Sequence, residues 1–246
     1  MIGSVALLLG GLSASGILAW RWGPPQEHWP LTSVFSAFAI FVGLAGLAGS
    51  AFARMWSGEW VPDTTDLVPG LAGTALASVA VSVVVLRRAR LQPLGFQHAP
   101  TWAWGWSVAG IPAFLTVSAA WATAIEWAGV PFESQQLLQL LGEASPTERA
   151  LALGYGVFGA PIVEELLFRG FLLPPMARKV GRTATCVIAG SLFGLVHMTD
   201  PFAVAPLIIL GVALSWLRLR CGSIWPGMLV HVGNNAVAMA VGLWAT

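Results

Sequence analysis

Apolar runs of roughly bilayer length recur along this chain at residues 2–20, 31–53, 67–86, 102–125, 149–176, 183–199, 202–217 and 223–244. A hydrocarbon core about 30 Å thick is crossed by about 20 residues of helix. No water inside it satisfies the backbone, so an open sheet is excluded and a helix, which bonds its own amides, remains. The pattern predicts an all-α fold, a polytopic transmembrane bundle of about eight spans. Composition agrees: 9% of residues are charged, against roughly 25% in a soluble domain. A net charge of +1 leaves no basic surface for nucleic acid. The seventh run is short and reads as tilted or partly re-entrant.

The charges are sorted between connections. Arg21 follows the first run, Arg87, Arg88 and Arg90 the third, Arg178, Lys179 and Arg182 the fifth, and Arg218 and Arg220 the seventh. The alternate connections hold Arg54 and Arg149 among many more acids, from Glu59 to Asp200. By the positive-inside rule the basic connections are cytoplasmic and both termini lie outside. Trp20, Trp56, Trp102, Trp127, Trp216 and Trp225 fall near run ends, as an interfacial belt requires. The N-terminus lacks the basic segment of a cleavable signal, and its apolar run is long enough to stay in the membrane. An Ala-, Gly- and Trp-rich composition points to a bacterial inner (plasma) membrane. Segment 129–148 reads as an amphipathic helix on the outer interface or an ordered loop. Small residues four apart, such as Gly190 and Gly194, allow close helix approach. Cys186 and Cys221 lack CxxC spacing and read as free thiols.

The fifth run breaks the apolar rule. Within Ala160–Phe171 it carries Glu164, Glu165 and Arg169, although a charged side chain at mid-membrane costs about 2.5–3.5 kcal/mol even on insertion scales. Glu165 and Arg169 are four apart with the acid first, the order that pairs along a helix face. Glu164 lies about 100° round the helix and has no such partner. One structural ion pair and one free carboxyl result. His197 and His231 also fall inside runs, and Asn235 follows His231 by one turn. Polar groups in a membrane face the bundle interior and one another, so the spans 149–176, 183–199 and 223–244 are expected to converge.

The spacing Glu164-Glu165-x-x-Phe168-Arg169, Phe193-x-x-x-His197 and His231-x-x-x-Asn235 resembles the three motifs of the CPBP family, which includes CAAX prenyl proteases and bacteriocin-processing or Abi-type immunity-related membrane proteins. The resemblance covers roughly residues 149–240. It implies an N-terminal part, 1–148, of four spans and an outer loop, followed by a catalytic helical core over 149–246. It implies an intramembrane endopeptidase acting on a membrane-anchored protein or peptide, either prenylated or bearing a sorting tail. Glu164 would activate water, His197 would hold that water, and His231 and Asn235 would stabilise the oxyanion. Phe168 and Phe193 would wall the cavity.

Three alternatives stand beside this reading. Glu164, His197 and His231 are a conceivable zinc shell with one open position. Because no single helix carries a His-Glu-x-x-His pair, the expectation is glutamate-type catalysis without a cofactor. A proton-coupled transporter would also place Glu and His in the membrane, but no inverted repeat is evident. A non-catalytic scaffold or immunity protein would tolerate conservative change at His197 and Asn235.

Overall fold

The computed structural model describes residues 29–37, 64–130, 144–198 and 200–245, and no β-strand occurs among them. Residues 31–37 are helical, and the helices that follow are α1 (Thr64–Arg88), a single turn α2 (Leu91–Leu94), α3 (Thr101–Trp127), α4 (Pro146–Val180), α5 (Arg182–Leu195), α6 (Pro201–Cys221) and α7 (Trp225–Ala245). Among the described residues, α3, α4 and α6 are long and apolar enough to cross a membrane. The chain is therefore an integral membrane protein of helical type. The first predicted run and most of the second lie outside the described residues, as does 131–143 of the expected outer-interface segment. The end of that segment belongs to α4, which Ser145 opens with a capping box: its hydroxyl accepts from Glu148 N–H and the Glu148 carboxylate accepts from Ser145 N–H.

Two expectations are corrected. The seventh run is not short: α6 is a continuous helix of 21 residues. Arg218 and Arg220 belong to its last turn, where cations oppose the partial negative charge of the helix C-terminus. The sixth run is shorter than expected, because α5 ends at Leu195 and His197 sits in the turn beyond it. There Asp200 caps α6, its carboxylate accepting from Phe202 and Ala203 N–H, with Pro201 as first helical residue.

Helix α4 is not uniformly α-helical. Over Tyr155–Gly159 and again over Glu165–Leu172 it widens to the i→i+5 pattern, a rare arrangement concentrated at functional sites. Prolines account for where each run stops. Ala160 N–H donates to Tyr155 O, and the next donor in that register would be Pro161, which has no N–H. Leu173 N–H donates to Phe168 O, and the next donor would be Pro174. Carbonyls so released must find partners in a medium without water. Asn235 Nδ2 donates to Gly156 O at 2.9 Å. Trp29 Nε1 donates to Phe171 O at 2.8 Å, four residues before Pro175, and the Trp29 ring stacks on Phe171 at 5.1 Å.

Helices α5 and α6 form a tight antiparallel hairpin through glycines. A Cβ on Gly190 would stand 2.6 Å from Val212 N, and one on Gly194 would stand 2.7 Å from Val204 O. These are backbone atoms that cannot move aside, so the small residues four apart are required for this approach. Helix α7 packs on α3, with Ser107 Oγ donating to Pro226 O at 2.8 Å. The buried core is centred on the lower half of α4, where Leu166, Leu167, Phe171, Leu172 and Leu173 meet Val81 and Val85 of α1 and Leu210 and Leu214 of α6.

Gly190→Val is expected to abolish the monodisperse folded protein, read by size-exclusion chromatography in detergent. Gly105→Ala, where nothing lies within 4 Å of the added Cβ, should leave the profile and the melting temperature unchanged or slightly raised.

Candidate active site

The local sequence sets two adjacent carboxylates on α4 in different surroundings. Glu165 is fully buried, and its Oε1 lies 3.1 Å from Arg169 Nη1, the expected i,i+4 pair. Arg169 is equally buried, donates from Nη2 to Gly211 O at 3.3 Å, and places its guanidinium carbon 4.5 Å from the Phe193 ring centroid. The cation is thus held by a carboxylate, a carbonyl and an aromatic face, which offsets part of its desolvation. Glu164 is the exposed member, its side chain 23% accessible.

Two imidazoles from other elements face Glu164. His231 of α7 brings Nε2 to 3.5 Å from Oε2, and His197 brings Nε2 to 4.0 Å from Oε1. His231 is buried while the His197 side chain is 33% accessible, so the cluster is open on the His197 side. Each ring is oriented through its other nitrogen. His197 Nδ1 is 2.7 Å from Phe193 O, and His231 Nδ1 is 3.1 Å from Glu165 Oε1. Both acceptors lack a proton to give, the carboxylate being paired with Arg169, so Nδ1 carries the hydrogen in each ring. Nε2 of each is thereby turned to Glu164.

The four expected polar side chains do not all meet. Glu164, His197 and His231 converge, whereas the hydrogen bond reported for Asn235 is to Gly156 O, eight residues before Glu164 on α4 and about 12 Å away along the axis. Phe168 and Phe193 are 3% and 0% exposed and meet edge to face at 5.2 Å. They pack on Arg169 and on the imidazoles, with Phe193 5.0 Å from the His197 ring and 5.5 Å from the His231 ring, so they back the cluster and do not border an open cavity. Glu165 does more than the local ion pair read from its spacing, since it also orients His231. That contact joins residues 66 apart in sequence, and no local pattern announces it. Among the described residues no group of three His, Cys, Asp or Glu side chains has metal-holding geometry.

The site is thus a partly accessible carboxylate between two oriented imidazoles within a helical membrane protein. Residues 146–237 match the family model described as Rce1-like, type II CAAX prenyl endopeptidase, and this stretch holds all three motifs. Over that stretch the chain is similar to the Rce1-like family. Comparison with curated proteins and with solved structures gave no match.

Removing Arg169 should leave Glu165 as an uncompensated buried charge, a change that costs about 3–5 kcal/mol in comparable settings. Arg169→Ala is expected to lower the melting temperature of the purified protein sharply. Arg169→Ala combined with Glu165→Ala should recover part of the loss.

Proposed function

We propose that the chain is an intramembrane endopeptidase in which Glu164 is the general base. The observation that carries this is the contrast between neighbours: Glu165 is sealed and paired, while Glu164 is partly accessible and faced by two imidazole Nε2 atoms. At 4.0 Å from His197 Nε2 the carboxylate is too far for a direct hydrogen bond and well placed for one shared through a water. Glu164 takes the proton of that water as the oxygen attacks the scissile carbonyl, and returns it to the leaving amine. His197 positions the water. His231 in its protonated form donates from Nε2 to the developing oxyanion, and Asn235, one turn further along α7, supports it by tying α7 to α4 through Gly156 O. Such donors typically contribute about 2.7–4 kcal/mol each in a dry site.

The reaction proceeds without a metal in this reading, in which side chains supply the base, the water holder and the oxyanion donor. Residues 149–246 form the catalytic core and 1–148 the membrane scaffold beside it, with the active site within the bilayer. The substrate is a membrane-anchored protein or peptide trimmed near its C-terminus, prenylated or carrying a sorting tail. The basic connections lie on the cytoplasmic side of a bacterial inner membrane, with both termini outside.

Glu164→Gln keeps the shape and removes the base. It is expected to reduce cleavage of a membrane-anchored reporter by about 10²-fold or more while leaving the melting temperature within a degree or two of wild type. Wild-type turnover by this variant would reject the assignment. Activity should persist after dialysis against a strong chelator, and loss that zinc restores would instead establish a metalloprotease.

A further inference from the structure

Three connections meet at one end of the bundle. Ile224 N–H donates to Gly95 O at 2.9 Å, Ser223 Oγ donates to Gln97 O at 2.8 Å, and Arg182 donates to Leu219 O. The cations of α4, α5 and α6, from Arg178 to Arg220, collect at this end. Between α2, α4 and α6 lies a groove of about 450 Å³. Its floor is apolar, made by Leu173, Pro174 and Leu219, and its polar lining is Gln92, Gln97, Arg178 and Arg218. No carboxylate lines it among the described residues.

Arg218 is the unusual member. It is only 8% exposed, its Nη2 donates to Pro93 O at 2.9 Å, and its Nε has no hydrogen-bond partner. The chain makes room for it: Gly95 adopts φ 97°, and a Cβ there would stand 2.6 Å from Arg218 Nε. Only glycine combines that backbone with that approach. A guanidinium so placed, with an unsatisfied N–H and a second cation nearby, requires an anion to offset its desolvation.

We propose that this groove binds the phosphate of an anionic phospholipid headgroup, held by Arg218 and Arg178. Phosphate oxygens suit the planar fork of a guanidinium better than any other common anion except a carboxylate. A lipid is favoured over a free phosphate by three observations. The floor beneath the cations is apolar, as glycerol and the first acyl carbons require. Aromatic rings of the interfacial kind frame the same end, Arg220 standing 5.5 Å from the Trp216 centroid and Phe96 packing edge to face on Trp225 at 5.6 Å. Clusters of Arg and Lys beside membrane helices attract anionic lipids. The groove is separate from the Glu164 cluster: Pro174 follows Glu164 by ten residues, about 15 Å along α4.

The test uses the purified full-length chain in neutral detergent, with thermal melting and native mass spectrometry. The probes are phosphatidylglycerol, diacylglycerol with the same chains, and inorganic phosphate. Phosphatidylglycerol is expected to raise the melting temperature by several degrees and to persist as a one-to-one adduct, with neither other probe doing so. Arg178→Gln, at an exposed position, should keep the lipid-free melting temperature and weaken phosphatidylglycerol binding at least tenfold, and Arg218→Lys should weaken it further. An undiminished adduct in Arg178→Gln would overturn the proposal. Equal stabilisation by inorganic phosphate would overturn the lipid assignment in favour of a free-phosphate site, and equal stabilisation by diacylglycerol would overturn the role of the phosphate.

Discussion

Placing the Glu165 carboxylate where no water reaches it is the constraint on which the centre of this molecule depends. Alone it would cost several kcal/mol, and it is made tolerable by Arg169 one turn away and by His231 Nδ1 from α7. Arg169 in turn needs the Gly211 carbonyl of α6 and the Phe193 ring of α5. One buried charge therefore ties α4, α5, α6 and α7 together. The same arrangement fixes the His231 ring and leaves Glu164 as the carboxylate with freedom to act.

Proline and glycine do complementary work around that centre. Pro161, Pro174 and Pro175 withhold amide hydrogens from α4, so its hydrogen bonding widens and individual carbonyls are released. Trp29 and Asn235 supply the missing donors from elsewhere in the chain. In lipid such carbonyls have few other partners, so each irregular turn of α4 becomes a point of attachment. Asn235 in this view has a structural part: one amide hydrogen closes the backbone of α4. Gly190, Gly194 and Gly211 act in the opposite way, removing side chains so that α5 and α6 can approach closely enough to present Phe193 and Gly211 to Arg169.

Much of the helical layout was legible because a bilayer turns hydropathy into geometry. The boundaries of α3 and α7 fall within about two residues of the runs that announced them, and α4 extends its run by a few residues at each end. Misplacement occurred where a charge or a turn residue was weighed by type alone. Arg218 and Arg220 looked like loop residues but lie in the last turn of α6. His197 looked helical by spacing from Phe193, yet Asp200 and Pro201 begin the next helix so soon that α5 must stop first.

Local spacing by itself determined the all-helical character, the ion pair between Glu165 and Arg169, and the identity of Glu164 as the carboxylate without a neighbour on its own helix. These follow from periodicity and from the cost of charge in hydrocarbon, both of which act over a few residues. Only the tertiary structure decided that Glu165 also orients His231, that Phe168 and Phe193 serve as packing around Arg169, that Asn235 is spent in part on Gly156, and that Arg218 packs closely against Gly95. Each of those joins side chains from different helices, and which faces of two helices meet depends on the shape of every residue between them.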